Sequence, residues 1–402
     1  MRGGVITRAR ARITMSSDSS DPQLDDGDAF MAAVLQEFPP VCAAFAYGSA
    51  IFGQRGYSIA QRNDAMIDLV MVVDDAEQWH ADNMAGGNAD HYSGISYLGA
   101  RAVANVQEMG GRIYYNQTSL HGRRIKYGVI TRDALCDDLH AWSSLYVGGR
   151  LHKPVRLLTP WPVDVAPLVE SNRRAALHAS LLLLPARFDG GGLLSAICGL
   201  SYEGDVRMGI GESARKPFNI AAGQHAVLGE MYAPSIAALH AEGHTIKLAD
   251  AGHVEGGGLD DALTAGWDVQ GGLLFEQDFS LETRRTLLAA LPAHTQRTML
   301  GELAPAVGAA IPSSGGSSGA HAEAITASLD GAACALWRRA PSECQANTQI
   351  ASALRASLRR IVFRSSLSQT CKGVATAGMA TSVAYAVAKI RKRLGQDRQV
   401  FT

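Results

Sequence analysis

Two apolar runs dominate the early part of the chain. "VCAAFAY" leads into Gly48-Ser49, and "MIDLVMVV", Met66 to Val73, follows after a polar interval with one carboxylate, Asp68, inside it. Short apolar runs bounded by turn residues read as strands. "GRIYYNQTSL" and "RRIKYGVIT" alternate, are rich in β-branched and aromatic residues, and are separated by His121-Gly122, which reads as a hairpin. Helical spacing marks "DAFMAAVLQEF", with Asp28 as N-cap, Phe30, Ala33 and Val34 on one face and Pro39-Pro40 as the stop. It also marks "DDAEQWHADNM", starting after Asp74-Asp75, and "RDALCDDLHAWSSLYVGGRL", stopped at Gly148-Gly149. The first 160 residues therefore read as a mixed sheet with helices, α+β in class.

From about Val163 the spacing is mostly helical: "SNRRAALHASLLLL", "LLSAICGLSYEGDVRM", "AVLGEMYAPSIAALHAEG" and "SLETRRTLLAALP". Gly252 to Gly272 is glycine-rich, and "IPSSGGSSGA", Ile311 to Ala320, reads as linker. The expected division is a leader and acidic linker over 1–27, an α+β domain over 28–160, a helical domain with a Gly/Ser-rich insertion over 161–345, and a basic tail over 346–402.

Charge refines this picture at the two ends. The 402 residues carry a net charge of −1, which argues against a whole-protein nucleic-acid binder. Yet residues 351–402 hold ten basic residues and a single acid, Asp397. In "KGVATAGMATSVAYAVAKIRKR", Lys372 at one end and Lys389, Arg391, Lys392 and Arg393 at the other flank small and apolar residues. Two readings stand: an interfacial helix on an anionic membrane, or a core-packed helix with a solvated basic end. No apolar run approaches the ~18 residues a membrane span needs, so none is expected. The start, with Arg2, Arg8, Arg10 and Arg12 and no acid before Asp18, has the composition of an organelle transit peptide. The six cysteines form no C-x-x-C pair, so neither a zinc knuckle nor a thioredoxin-type site is expected.

The candidate chemistry lies in "AYGSAIF" and "IDLVMVV". In nucleotidyltransferases of the polymerase-β type, a Gly-Ser turn after the first strand cradles nucleotide phosphates, and the next strand presents carboxylates that hold Mg²⁺. Here that order would assign Tyr47, Gly48 and Ser49 to the nucleotide and Asp68 to the metal. The bland readings are a plain turn and a structural ion pair. The strand also departs from the usual Asp-x-Asp, because Met66 and Val70 flank Asp68 at the two-residue spacing.

Longer blocks are more specific: "QWHADNM", "HYSGISYLGA", "IKYGVIT", "WSSLYVGGRLHKPVRLL", "LSYEGDVRMGIGE" and "CKGVATAGMATSVAYAVAKIRK". Together with "AYGSAIFGQRGY" they resemble, in order from roughly Phe38 to Leu394, the mitochondrial translocator assembly and maintenance family, the mitochondrial CDP-diacylglycerol synthases. The resemblance implies a nucleotidyltransferase domain followed by a winged-helix-like helical domain. It implies a peripheral enzyme on the matrix side of the inner mitochondrial membrane that joins CTP to phosphatidic acid with Mg²⁺. Within it, Asp205 is the candidate second carboxylate, against simple pairing with Arg207. Lys126 would be a cation near the triphosphate, against a solvent-facing lysine. Arg150, His152, Lys153 and Arg207 would hold the lipid phosphate or the leaving pyrophosphate, against a merely solvated cluster. Lys372, Lys389, Arg391, Lys392 and Arg393 would meet the membrane. The competing functions are transfer to a different acceptor and a non-catalytic membrane scaffold.

Overall fold

The structure, a computed structural model, describes residues 22–55, 65–208, 213–242, 247–248, 267, 272–312 and 318–377. The arginine-rich leader and the basic cluster Lys389 to Arg393 lie outside these. Residues up to Phe38 form one unit and those from Pro39 another. The described part of the first is helix α1, Pro22–Gln36. It starts before Asp28, which is inside the helix and not its cap. Proline suits a first helical position, having a preset φ and no N–H to leave unpaired.

The second unit opens with a five-stranded mixed sheet in the order β3-β4-β2-β1-β5. Its strands are β1 (Ala43–Tyr47), β2 (Ile67–Val73), β3 (Ile113–Leu120), β4 (Arg123–Thr131) and β5 (Arg156–Leu157). Strand β2 pairs antiparallel with β1 and parallel with β4. It is central and covered on both faces, which is why it reads as a continuous apolar run and not as an alternation. Val70 and Val72 pack on one side with Phe45 and Ile130, and Leu69 and Met71 are equally buried. The β3–β4 hairpin turns on His121 and Gly122, whose φ angles of 49° and 77° match the twist of a two-residue hairpin.

Helix α2 (Ala76–Asn83) is capped by Asp75, which accepts from the Gln78 N–H at 3.0 Å. Helix α3 (Ala100–Gln107) precedes β3. Helix α4 (Arg132–Ala141) ends earlier than expected, at Trp142 in the left-handed conformation. Gly148-Gly149 does not stop it but begins a separate short helix, α5 (Gly148–Leu151). The cause is Asp138. Its buried carboxylate accepts from the N–H groups of Ser144, Leu145, Val147 and Gly148 and from the Ser144 hydroxyl, at 2.7–2.9 Å. The chain is thereby wound around that side chain.

A mostly helical region follows. Helix α6 (Val165–Leu183) spans two cores, with Val165 and Val169 packed under the sheet and Leu177 and Leu181 inside the helical region. Then come β6 (Arg187–Asp189), α7 (Gly190–Gly199), α8 (Lys216–Gly223), α9 (His225–Ala241), β7 (Lys247–Leu248) and β8 (Leu274–Glu276). The small antiparallel sheet β6-β8-β7 was not expected in this region. "LSYEGDVRM" is also not a helix after Gly199; it makes a 3₁₀ turn and bends at Gly204, φ 83°. Helices α10 (Leu281–Ala289), α11 (Ala293–Val307), α12 (Ser318–Arg339) and α13 (Glu343–Ala377) complete the described chain. The expected boundary at residue 346 falls inside α13, whose Ile350, Leu354, Leu358 and Ile361 belong to the helical core.

Candidate active site

The sheet pairing sets the geometry. Tyr47 lies opposite Asp68, and Asp68 lies opposite Lys126. Directly paired residues share a sheet face, so three adjacent strands present a tyrosine, a carboxylate and an ammonium in one row. Gly48 follows with φ +85°, a conformation side chains rarely adopt, and a Cβ there would meet the Asp68 Oδ2 at 3.3 Å. The Gly48 carbonyl accepts from the Ile51 and Phe52 N–H groups, closing the loop into a tight turn.

This row forms one wall of a cavity of about 280 Å³ between the sheet and the helical region. Arg150, Lys153, Asp205, Arg207 and Lys216 line it as well. With Asp68 and Lys126, the lining holds five cations against two carboxylates, so the cavity is electropositive. The Tyr146 phenol reports this: burial alone would raise its pKa, yet Arg150, Arg207 and Lys126 pull it below the ordinary tyrosine value.

Each cation is held in place. Lys126 Nζ is 3.9 Å from the Asp68 carboxylate and 4.3 Å from the centre of the Tyr115 ring. The Arg150 guanidinium lies over the Tyr146 ring at 4.2 Å and the Tyr47 ring at 5.2 Å, and donates to the Tyr146 carbonyl. Lys153 donates to the Gly149 carbonyl at 2.5 Å and the Ser201 hydroxyl at 3.0 Å; burial lowers its pKa. Lys153 and Lys216 both approach the Tyr202 ring, at 5.1 and 5.7 Å.

Asp205 is in the cavity wall, but both its oxygens are engaged by its neighbour. Oδ1 accepts from the Arg207 N–H and Nε at 2.9 Å, and Oδ2 from Nη2 at 2.5 Å. Burial would raise its pKa, and Arg207 outweighs that and holds it below the usual carboxylate value. This geometry is that of a fixed ion pair orienting Arg207. Among the described residues, no group of three histidine, cysteine or acidic side chains is arranged to hold a metal. Mg²⁺ does not need one; it keeps several waters and takes one or two carboxylates plus substrate phosphates. Asp68, under a glycine that leaves the space beside its carboxylate open, fits that demand, and Asp205 does not.

Two expected residues are elsewhere. His152 is fully buried and faces away from the cavity, its Nε2 3.0 Å from Asn172 Oδ1 and its ring against Trp142. Lys372 is also buried; its ammonium donates to the carbonyls of Gln107, Met109 and Ile113. A lysine so engaged in tying α13 to the edge of the sheet domain is not offered to a membrane, and only the core-packed reading fits it. Conversely, Phe52, Tyr146, Tyr202, Lys216 and Gln224 line the cavity without having been singled out. Tyr202 stands in the "LSYEGDVRM" block; nothing in the spacing marks Lys216 or Gln224.

His152 supports a prediction about acid stability. Burial lowers its pKa to about 3, and lowers that of His80, held between Tyr92 and Gln107, to about 4. Unfolded, each takes a proton near pH 6.5. Between those values the unfolded chain binds more protons, so stability is complete above pH 6.5 and is lost as pH falls toward 4. By pH 5 each residue removes about 2 kcal/mol. Thermal melts from pH 7.5 to 4.5 should show a steep fall in Tm, and His152→Gln should flatten it; a slope unchanged by that substitution would refute the assignment.

The family described as "Phosphatidate cytidylyltransferase, mitochondrial" matches residues 31–392. Curated proteins carrying that description are similar over nearly the whole chain. The one from Danio rerio is 32% identical over 375 residues, 92% of this chain and 96% of its own. The one from Drosophila melanogaster is 33% identical over 363 residues, 87% of this chain and 93% of its own. The human protein matches at 39% identity over a shorter stretch, 50% of this chain and 44% of its own.

Proposed function

The chain belongs to the mitochondrial phosphatidate cytidylyltransferase family, and from that premise we propose that its cavity joins CTP to phosphatidic acid, yielding CDP-diacylglycerol and pyrophosphate. The observation that carries this reading at the level of chemistry is the single row Tyr47, Asp68, Lys126 beneath the Gly48 turn, facing a cavity rich in cations. A triphosphate and a phosphate monoester are both strongly anionic, and bringing them together requires this kind of neutralisation.

The roles follow from position. Gly48 and Ser49 supply backbone N–H groups and a hydroxyl to the triphosphate, and the absence of a Cβ at Gly48 lets the phosphates come close. Asp68 would hold Mg²⁺; bound there, the ion would offset charge on the leaving pyrophosphate. Lys126 and Arg150 neutralise the nucleotide phosphates from the sheet side. Lys153, Lys216 and Arg207 face them from the helical side and receive the acceptor phosphate, with Asp205 and Tyr202 fixing their directions. The acceptor is already ionised near neutral pH, so no strong general base is needed. What the residues provide is in-line placement of two anions that would otherwise repel.

The small sheet β6-β8-β7 beside α7 is the basis for reading the helical region as winged-helix-like. No helix of the described residues is long and apolar enough to cross a membrane. Membership of the family supports a peripheral position on the inner membrane, matrix side, with Lys389, Arg391, Lys392 and Arg393, which lie outside the described residues, as candidate contacts. Transfer to nucleic acid is not favoured, because the net charge is −1.

Purified protein incubated with phosphatidic acid liposomes, labelled CTP and Mg²⁺ should form labelled CDP-diacylglycerol, and omission of the divalent ion should abolish it. Label on another acceptor with none in lipid would overturn the reading.

A further inference from the structure

The proposed reaction leaves open how the nucleotide's base is read. The residues just past the Gly-Ser turn are joined to the helical region at α8. The Arg55 N–H donates to the Asn219 carbonyl at 3.1 Å, and the Arg55 guanidinium sits 5.9 Å from the centre of the Phe218 ring. Gly223 closes the contact: a Cβ there would stand 2.7 Å from the Gln54 Cα, so backbone meets backbone with no room for a side chain. The next residue, Gln224, is 7% exposed and lines the cavity.

The orientation of the Gln224 amide is dictated by its neighbour. Its Nε2 is 3.1 Å from the Gly53 carbonyl oxygen. A carbonyl oxygen only accepts, so the amide nitrogen must be the group that faces it. The Oε1 is thereby turned away from Gly53, and it accepts no hydrogen bond among the described residues. Phe52 and Ile220 line the same cavity as Gln224, together with Gly48 and Ser49 of the turn.

We infer that Gln224 is a specificity-determining residue for the base, its Oε1 accepting a hydrogen bond from the exocyclic 4-amino group of cytosine. Phe52 and Ile220 supply the apolar flank on which the pyrimidine ring rests. Uracil presents a carbonyl oxygen at the same position, acceptor against acceptor, and the Gly53 bond prevents the amide from turning over to accommodate it. A site built to pair a substrate N–H rejects the analogue lacking it, because its own polar group is left unpaired. The inference rests on CTP being the nucleotide.

The test compares CTP with UTP and with the triphosphate of the 2-pyrimidinone riboside, which lacks the 4-amino group, on phosphatidic acid liposomes. Wild-type kcat/KM should favour CTP over the des-amino analogue by about ten- to a hundredfold, and in Gln224→Met the value for CTP should fall to that for the des-amino analogue. If Gln224→Met lowers kcat/KM for all three triphosphates by one factor, Gln224 only ties the loop to α8 and the inference fails. Should Gln224→Met not fold, the wild-type protein still decides: equal kcat/KM for CTP and the des-amino analogue overturns the inference. A wild-type protein that makes no lipid product from CTP would instead refute the assigned reaction, whatever Gln224 does.

Discussion

Asp68→Asn should lower kcat by about a thousandfold while leaving the fold intact. The substitution keeps the shape of the side chain and removes the negative charge that would hold Mg²⁺ beside the triphosphate. Stability should hardly change. Among the described residues Asp68 pairs with Lys126 at 3.9 Å, and both side chains are partly exposed, at 30% and 24%. Such a pair contributes less than about 1 kcal/mol. The structural ion-pair reading makes the opposite forecast: a measurable loss of stability with activity retained in whatever folds. Steady-state CDP-diacylglycerol formation and urea unfolding on the same preparations separate the two. Near-wild-type turnover would eliminate Asp68 as the metal-holding residue.

Asp138→Ala should cost about 4 kcal/mol of stability, near the upper end for single substitutions. The side chain is 3% exposed and accepts from four backbone N–H groups and one hydroxyl. Removing it leaves several buried donors with no acceptor, and the segment Ser144 to Gly148 loses the group around which it is wound. Function should suffer in the fraction that folds, because that segment delivers Tyr146 and Arg150 to the cavity. Asp138→Asn should fall between, since an amide presents one acceptor and one donor to a set of donors. Thermal unfolding of the three proteins gives the order; an alanine variant as stable as wild type would show that water or rearrangement replaces the carboxylate.

What the sequence determined by itself is local in origin. Strand β2 was legible because a central strand covered on both faces needs apolar residues at every position but the functional one, and Asp68 stands out against that background. The β3–β4 hairpin was legible because His121-Gly122 can adopt the positive φ angles of a two-residue turn. Gly48-Ser49 could be recognised because its place, directly after a strand, is part of its chemistry. The long blocks carried the family for the same reason: each is a contiguous run whose residues act together.

Tertiary structure alone decided whatever depends on residues far apart in the chain. Asp205 was the candidate second carboxylate beside Asp68, with pairing to Arg207 as the alternative, and the fold sets Arg207 against both Asp205 oxygens. His152 and Lys153 are adjacent in sequence, yet in the turn that follows α5 one is in the core against Asn172 and the other in the cavity against Ser201. Lys372 read as part of a basic tail, and only the packing of α13 on the sheet domain turned its ammonium onto three carbonyls. Lys216 and Gln224 reach the cavity from more than 140 residues beyond Asp68. No local spacing encodes that approach; it depends on Gly223 having no side chain where α8 meets the backbone of Gln54.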